Sequence, residues 1–269
     1  MSVLTLTALV CQGAETDRPD TEYASQFRSE SFSDAELVAR RNLAASEVAV
    51  GIHHPEVAER ANVLAEVKRA LGKFDDAEKL YSRSLDIYVS TYGDRSFEAS
   101  IVLNNLASLR KDQSRYAEAQ TYYERSMAIR SSSLGREDPS VATILKNLGT
   151  LSFRQSKHAE AERYFGEAIA IWQNFLSENP DKDLTLELAQ ALDDLALLLA
   201  TTKRHDEAAE MRERSLARYI ESLGDAHALV ATAVYNLARA KAQIGDADTS
   251  RELYATSLLM RETGLRSDH

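Results

Sequence analysis

One cysteine, four prolines and ten glycines are all that 269 residues contain of those types. The lone thiol, Cys11, excludes an internal disulfide framework and a thiolate zinc cluster. Few Gly and Pro disfavour sheets joined by many tight turns. No run of 18 apolar residues occurs, so no membrane span is expected. Basic residues are also in deficit, 32 against 42 acidic for a formal charge of -10. That balance repels a phosphate backbone and argues against nucleic acid as a partner.

Catalytic patterns are missing too. The six histidines, His53, His54, His158, His205, His227 and His269, form no H-E-x-x-H pair. There is no glycine-rich phosphate loop and no G-x-S-x-G elbow. Paired carboxylates occur at Asp75-Asp76 and Asp193-Asp194. The first pair is expected at a helix start, where acids favour the dipole. No catalytic, metal or cofactor site is expected, and the chain is read as not an enzyme.

Ala, Leu, Glu, Arg and Ser dominate what is present, with 44% hydrophobic residues, which points to helices with a sizeable core. The stretch VLTLTALVC (3–11) has the apolar character of an export signal, but no Lys or Arg precedes it. A cytoplasmic location is therefore expected, with export as the alternative if that stretch is a truncated signal. Residues 1–31 carry no matching first helix, and Pro19 interrupts them. They are expected to be a non-repeat segment, a remnant signal or a flexible tail, leaving 32–269 as the repeat array.

The repeat is visible in FDDAEKLYSRSL (74–85), YAEAQTYYERSM (116–127) and HAEAERYFGEAI (158–169), offset by 42 residues. HDEAAEMRERSL (205–216) follows after a step of 47, and FSDAELVARRNL (32–43) precedes the series as a half copy. The other half of each unit recurs in step as VLAEV, NLASL, NLGTL, DLALL and NLARA. One half-unit and five units result, at about 55–92, 97–134, 139–176, 184–223 and 227–265. A period of this size is the signature of a solenoid, whose hairpins bury their apolar faces only by stacking.

Each unit reads as two amphipathic helices. Gly72, Ser114, Ser156, Lys203 and Gly245 fall between them, where a helix end takes a left-handed residue. Gly51, Gly93, Gly135 and Gly224, with Ser177 in the remaining place, close the second helices. Pro55 and Pro139 open first helices, where a missing N–H costs nothing. The five extra residues of the 47-residue step are expected to form a longer polar loop in 177–183.

The second unit, LNNLASLRKDQSRYAEAQTYYERSMAIRSSSLGREDPSVA (103–142), resembles the tetratricopeptide family, in its longer, kinesin-light-chain-like form. Leu106-Ala107 matches the family's Leu-small pair, and Ala119, Tyr123 and Ser126 match its small, aromatic and second small positions. The resemblance runs from about Phe32 to Leu265 and implies an all-α fold, a right-handed α-α superhelical solenoid of helix hairpins. Arg212 departs from the pattern where other units have Tyr81, Tyr123, Phe165 and Tyr254.

The resemblance also implies that first helices line the concave surface, with the residues before the Leu-small pair pointing into it. Those positions hold Asn62, Asn104, Asn105, Lys146, Asn147, Asp193, Asp194 and Asn236. One turn on, Arg69, Lys111 and Phe153 share a position expected to face the same groove. Amides offer a donor and an acceptor to a peptide backbone, and the charges and ring add selectivity. The structural alternative is that these Asn side chains bridge adjacent helices or face water. The function expected is a scaffold that binds a segment or helix of an unidentified protein partner. A peptide-sensing regulator or an accessory subunit of an enzyme complex is the alternative, and the oligomeric state is left open.

Overall fold

The structure is a computed structural model that describes residues 21–180 and 183–267. The signal-like stretch 3–11 and Pro19 lie outside the described residues. Among these residues there are eleven helices and no strand. In chain order they are α1 (Thr21–Val50), α2 (Pro55–Ala70), α3 (Phe74–Tyr92), α4 (Phe97–Asp112), α5 (Tyr116–Leu134) and α6 (Pro139–Arg154). Then follow α7 (His158–Glu178), α8 (Thr185–Thr201), α9 (His205–Leu223), α10 (Ala228–Gln243) and α11 (Ala247–Ser267). The chain divides into two compact units, 1–129 and 130–269.

Local chemistry sets the helix ends. Four of the five first helices are capped by side chains that accept a backbone N–H: Ser96 Oγ from Ala99 at 3.2 Å, and Asp138 Oδ1 from Ser140 at 2.8 Å. His54 and His227 do the same through Nδ1, at 3.2 and 3.1 Å. An imidazole nitrogen accepts only when it carries no proton, so these two histidines, near turns in the sequence, are structural caps. At their other ends all five first helices close alike. Lys73, Arg115, Lys157, Arg204 and Asp246 donate N–H to the carbonyl five residues back, at 2.8–3.0 Å. The residue just before each donor has positive φ: Gly72, Ser114, Ser156, Lys203 and Gly245.

Four of the five hairpins are then clamped by one buried hydroxyl each. Ser84 donates to the Ala58 carbonyl at 2.7 Å, and Ser126 to that of Ser100 at 2.6 Å. Ser215 and Ser257 repeat the bond to Ala189 and Ala231. Only the third hairpin lacks the clamp, because Ala168 stands there. In the first unit Ala39 and Leu43 of α1 share one core with Val57, Leu64, Tyr81 and Leu106. In the second, Phe165 packs with Leu198, and Tyr219 with Val230 and Val234. Fully burying one such side chain is worth roughly 1.5–3 kcal/mol, far more than any single cap.

Charge ties one hairpin to the next. Lys68, near the end of α2, reaches back to Glu36 of α1 at 2.9 Å. Arg110 of α4 holds Glu78 of α3 through two bonds, at 2.8 and 2.6 Å. Bonds from Lys73 and Lys68 keep the Glu36 carboxyl below its ordinary range.

Two expectations are corrected. Helix α1 begins at Thr21, so the boundary expected between 31 and 32 falls inside a helix. Ser177 does not stop α7, which runs on to Glu178. The five extra residues do not all enter a loop: two lengthen α7, one lengthens α8, and two lengthen the connection between them. No glycine is available at 177 to take the left-handed turn, and Asn179 ends the helix with φ -131 instead.

Candidate functional site: the face of the first helices

Side chains from successive first helices meet along one edge of each unit. In the first unit, Asn105 of α4 donates through Nδ2 to Asn62 Oδ1 at 3.1 Å and to Glu66 Oε1 at 2.8 Å, both on α2. Its own Oδ1 accepts from Asn104 Nδ2 at 3.3 Å. Both donors and an acceptor site of Asn105 are therefore used within the protein. Here the structural alternative holds, since Asn62 and Asn105 bridge neighbouring helices. Further along, Arg69 pairs with Asp112 of α4, extending the same ladder. Burial pushes the Glu66 carboxyl above its usual range, opposed by the Arg69 charge and the Asn105 bond. Lys111, at the Arg69 position on α4, is half-buried.

In the second unit the same positions are differently filled. Lys146 of α6 bonds Gln190 Oε1 of α8 at 3.2 Å, again linking first helices. Asn147, Asp194 and Asn236 are half-buried on α6, α8 and α10. Phe153 turns its ring toward His158 at the start of α7, centroids 5.9 Å apart. Asp193 is held inside its own hairpin, 2.6 Å from Arg212 of α9. One repeat later the equivalent residues, Tyr235 and Tyr254, meet as an edge-to-face ring pair at 5.3 Å. The charged substitution on α8 and the aromatic-to-Arg substitution on α9 are thus one compensated exchange. Both departures were visible in the sequence, and their common spacing of 19 residues links them.

Glu66, Asp112, Gln190 and Arg212 were not nominated from sequence, because each acts through a partner on another helix. Among the described residues, no group of three His, Cys, Asp or Glu lies close enough to hold a metal. No helix there is long and apolar enough to cross a membrane. A cleft of about 870 Å³ runs along the outer side of α3, past Ile52, His53, Glu78, Lys79, Arg83 and Asp86. Arg83 is committed to Glu47 and the Ile52 carbonyl, and Glu78 to Arg110. The cleft brings no convergent reactive groups together.

A family model described as tetratricopeptide repeat matches residues 98–174 and 187–263, and a second of the same description matches 57–98. No curated protein matches. Among solved structures, BtubC (BKLC) from P. vanneervenii aligns with TM-score 0.70 and 22% identity, over 86% of this chain and 91% of that one. A kinesin-light-chain structure from Podosopora anserina with nearly identical TPR-like repeats gives 0.63 and 21%, over 79% and 98%. Aspartyl phosphate phosphatase F from Bacillus subtilis gives 0.60 and 12%, over 78% and 52%. At these identities the likeness is one of fold.

Proposed function

This chain belongs to the tetratricopeptide repeat family, and from that premise we propose that it binds a peptide segment or helix of a protein partner along the face of its first helices. The family supports the general role of an interaction scaffold, and its fold is typically non-catalytic. The observation that carries the finer reading is the row of half-buried polar side chains, Asn147, Asp194 and Asn236, at one repeated place on the successive first helices of the second unit. Lys146, beside Asn147, is pinned by its bond to Gln190 of the next first helix. Such a surface is preorganised, so less side-chain entropy is lost when a backbone docks on it.

The test is selection of binders from a displayed random 16-mer library, followed by titration of one selected peptide. Asn236→Ala and Asn147→Ala should each weaken binding several-fold, since a net hydrogen bond is worth about 0.5–1.5 kcal/mol. Lys146→Glu should weaken an acidic peptide more than a neutral one, with part of that loss reproduced by salt. Unchanged affinity in all three variants would place the binding surface elsewhere.

A further inference from the structure

The three first helices of the second unit differ in sign. Helix α6 carries Lys146 and Arg154 and no acid, α8 carries Glu187, Asp193 and Asp194 and no base, and α10 carries Arg239 and Lys241 and no acid. Two of these charges turn away to α9, where Asp193 meets Arg212 at 2.6 Å and Lys241 meets Glu213 at 2.5 Å. The others keep one order across the unit: positive on α6, negative on α8, positive on α10. Helix α6 packs on α8, and α8 and α10 both pack on α9, so the order in sequence is the order in space.

Three of these charges stand at the row of Asn147, Asp194 and Asn236. Asp194 belongs to the row, Lys146 precedes Asn147 by one residue, and Arg239 lies one turn on from Asn236, at the i, i+3 spacing that puts two side chains on one helix face. Lys146 is half-buried and bonds the neutral Gln190 amide at 3.2 Å, a partner that leaves its charge uncompensated. Arg239 is exposed, and Asp194 and Asn236 are half-buried. Asp194 replaces the amide found one repeat before and one repeat after it, an exchange of nearly equal shape that trades a donor for a negative charge.

Spacing selects the conformation of the segment that can read these charges. Packed helices lie about 8–10 Å apart. A polyproline II segment has three residues per turn and rises about 3.1 Å for each, so every third side chain returns to one side after about 9 Å. A β-strand returns a side chain to one side after about 7 Å, and misses the step.

Resting on the peptide-binding reading above, we propose that the segment this face takes is extended and charge-alternating: an acidic, a basic and a second acidic residue, each three positions from the last. The acids pair with Lys146 and Arg239, and the central base pairs with Asp194. The pattern reads the same in both directions, so it holds whichever way the segment runs. Asp194 is the specificity-determining residue, because it rejects a segment that is acidic throughout.

The probe is a fluorescein-labelled peptide, Ser-Pro-Glu-Pro-Ser-Lys-Pro-Ser-Glu-Pro-Ser, whose anisotropy is titrated with the full chain. Two companions carry Gln or Glu in place of the Lys, and a third exchanges the signs to Lys, Glu, Lys. Saturable binding of the first is expected, about tenfold tighter than with Glu at the centre, since a reversal replaces an attraction by a repulsion of like size. The sign-exchanged peptide should bind worst, although it is the least acidic of the four and the chain has a net charge of -10. Asp194→Asn, which copies the neighbouring repeats, should erase the preference for Lys over Gln. Arg239→Glu should weaken the first peptide and leave that preference in place. Thermal melts check that both variants are folded. A Lys preference that survives Asp194→Asn, tighter binding of the sign-exchanged peptide, or a helical circular dichroism signal from the bound segment overturns the proposal. Peptides selected from the displayed library report on the site itself. If they bind and weaken in Asn236→Ala while the alternating peptide does not bind, the charge pattern is wrong and the peptide site stands; if no peptide binds, both fail.

Discussion

At the scale of single residues, the same amide can be a ligand contact or a girder, and neighbours decide which. Asn105 bonds Asn62 and Glu66, so Asn105→Ala would strip a hydrogen bond from a carboxyl that burial already disfavours as an anion. A loss of stability is expected from it, which makes it a poor probe of binding. Glu66→Gln tests the electrostatics directly. Burial raises its carboxyl above the ordinary carboxylate range, so the folded state holds the proton more tightly than the unfolded chain. The stability this gives is present below the unfolded pKa and lost as pH rises through the folded one. Glu66→Gln should therefore raise Tm at pH 7, and the gain should shrink as pH falls from neutrality toward about 4.5, the carboxyl's ordinary value; a gain that grows with acidity would refute the assignment. For the exchange on α8 and α9, Asp193→Ala should cost about 1–3 kcal/mol by leaving Arg212 without its partner. The double change Asp193→Tyr with Arg212→Tyr, copying Tyr235 and Tyr254, should recover much of that in a double-mutant cycle. Additive losses would show that the two residues do not act together.

At the scale of helices, ends were more legible than lengths. Prolines, glycines and capping residues are local, so the starts of α2 and α6 and the turns after the first helices follow from the sequence around them. The turn positions make a prediction of opposite signs. Ser156 holds a φ of 59°, which costs a residue with a Cβ roughly 1–2 kcal/mol. Ser156→Gly should gain up to about 1 kcal/mol once the greater freedom of the unfolded glycine is deducted. Gly72→Ala, at φ 71° with nothing within 4 Å of the added Cβ, should lose about 1 kcal/mol through the backbone alone. Chemical denaturation of the two variants checks both. The end of α7 was misread because Ser177 occupies the register of a stop without the conformational freedom that makes glycine one. Its two extra residues, and the added residue of α8, depend on packing that no local pattern displays.

At the scale of the whole molecule, stability in a repeat protein is approximately a sum over repeats and their nearest contacts. Ending the chain after Asp225, which removes α10 and α11, should leave a helical protein with a lower Tm, because the core contacts run within hairpins and between neighbours, and every remaining complete hairpin but the third carries its own clamp. Circular dichroism and a thermal melt would show this, and loss of helix from the remaining residues would mean a cooperative unit that does not divide. By itself the sequence determined the period, the hairpin, the helix class and the family, since these rest on spacings of apolar, small and turn residues that recur every 42 positions. It also brought the first-helix positions to notice. Only the tertiary structure decided which of those side chains are engaged: that Asn62, Asn105 and Glu66 form one ladder, and that Asp193 belongs to Arg212. Hydrogen bonds and ion pairs between helices some 40 residues apart depend on distances of a few ångströms. A linear pattern fixes which helices are neighbours, but not which of the rotamers at their contact finds a partner.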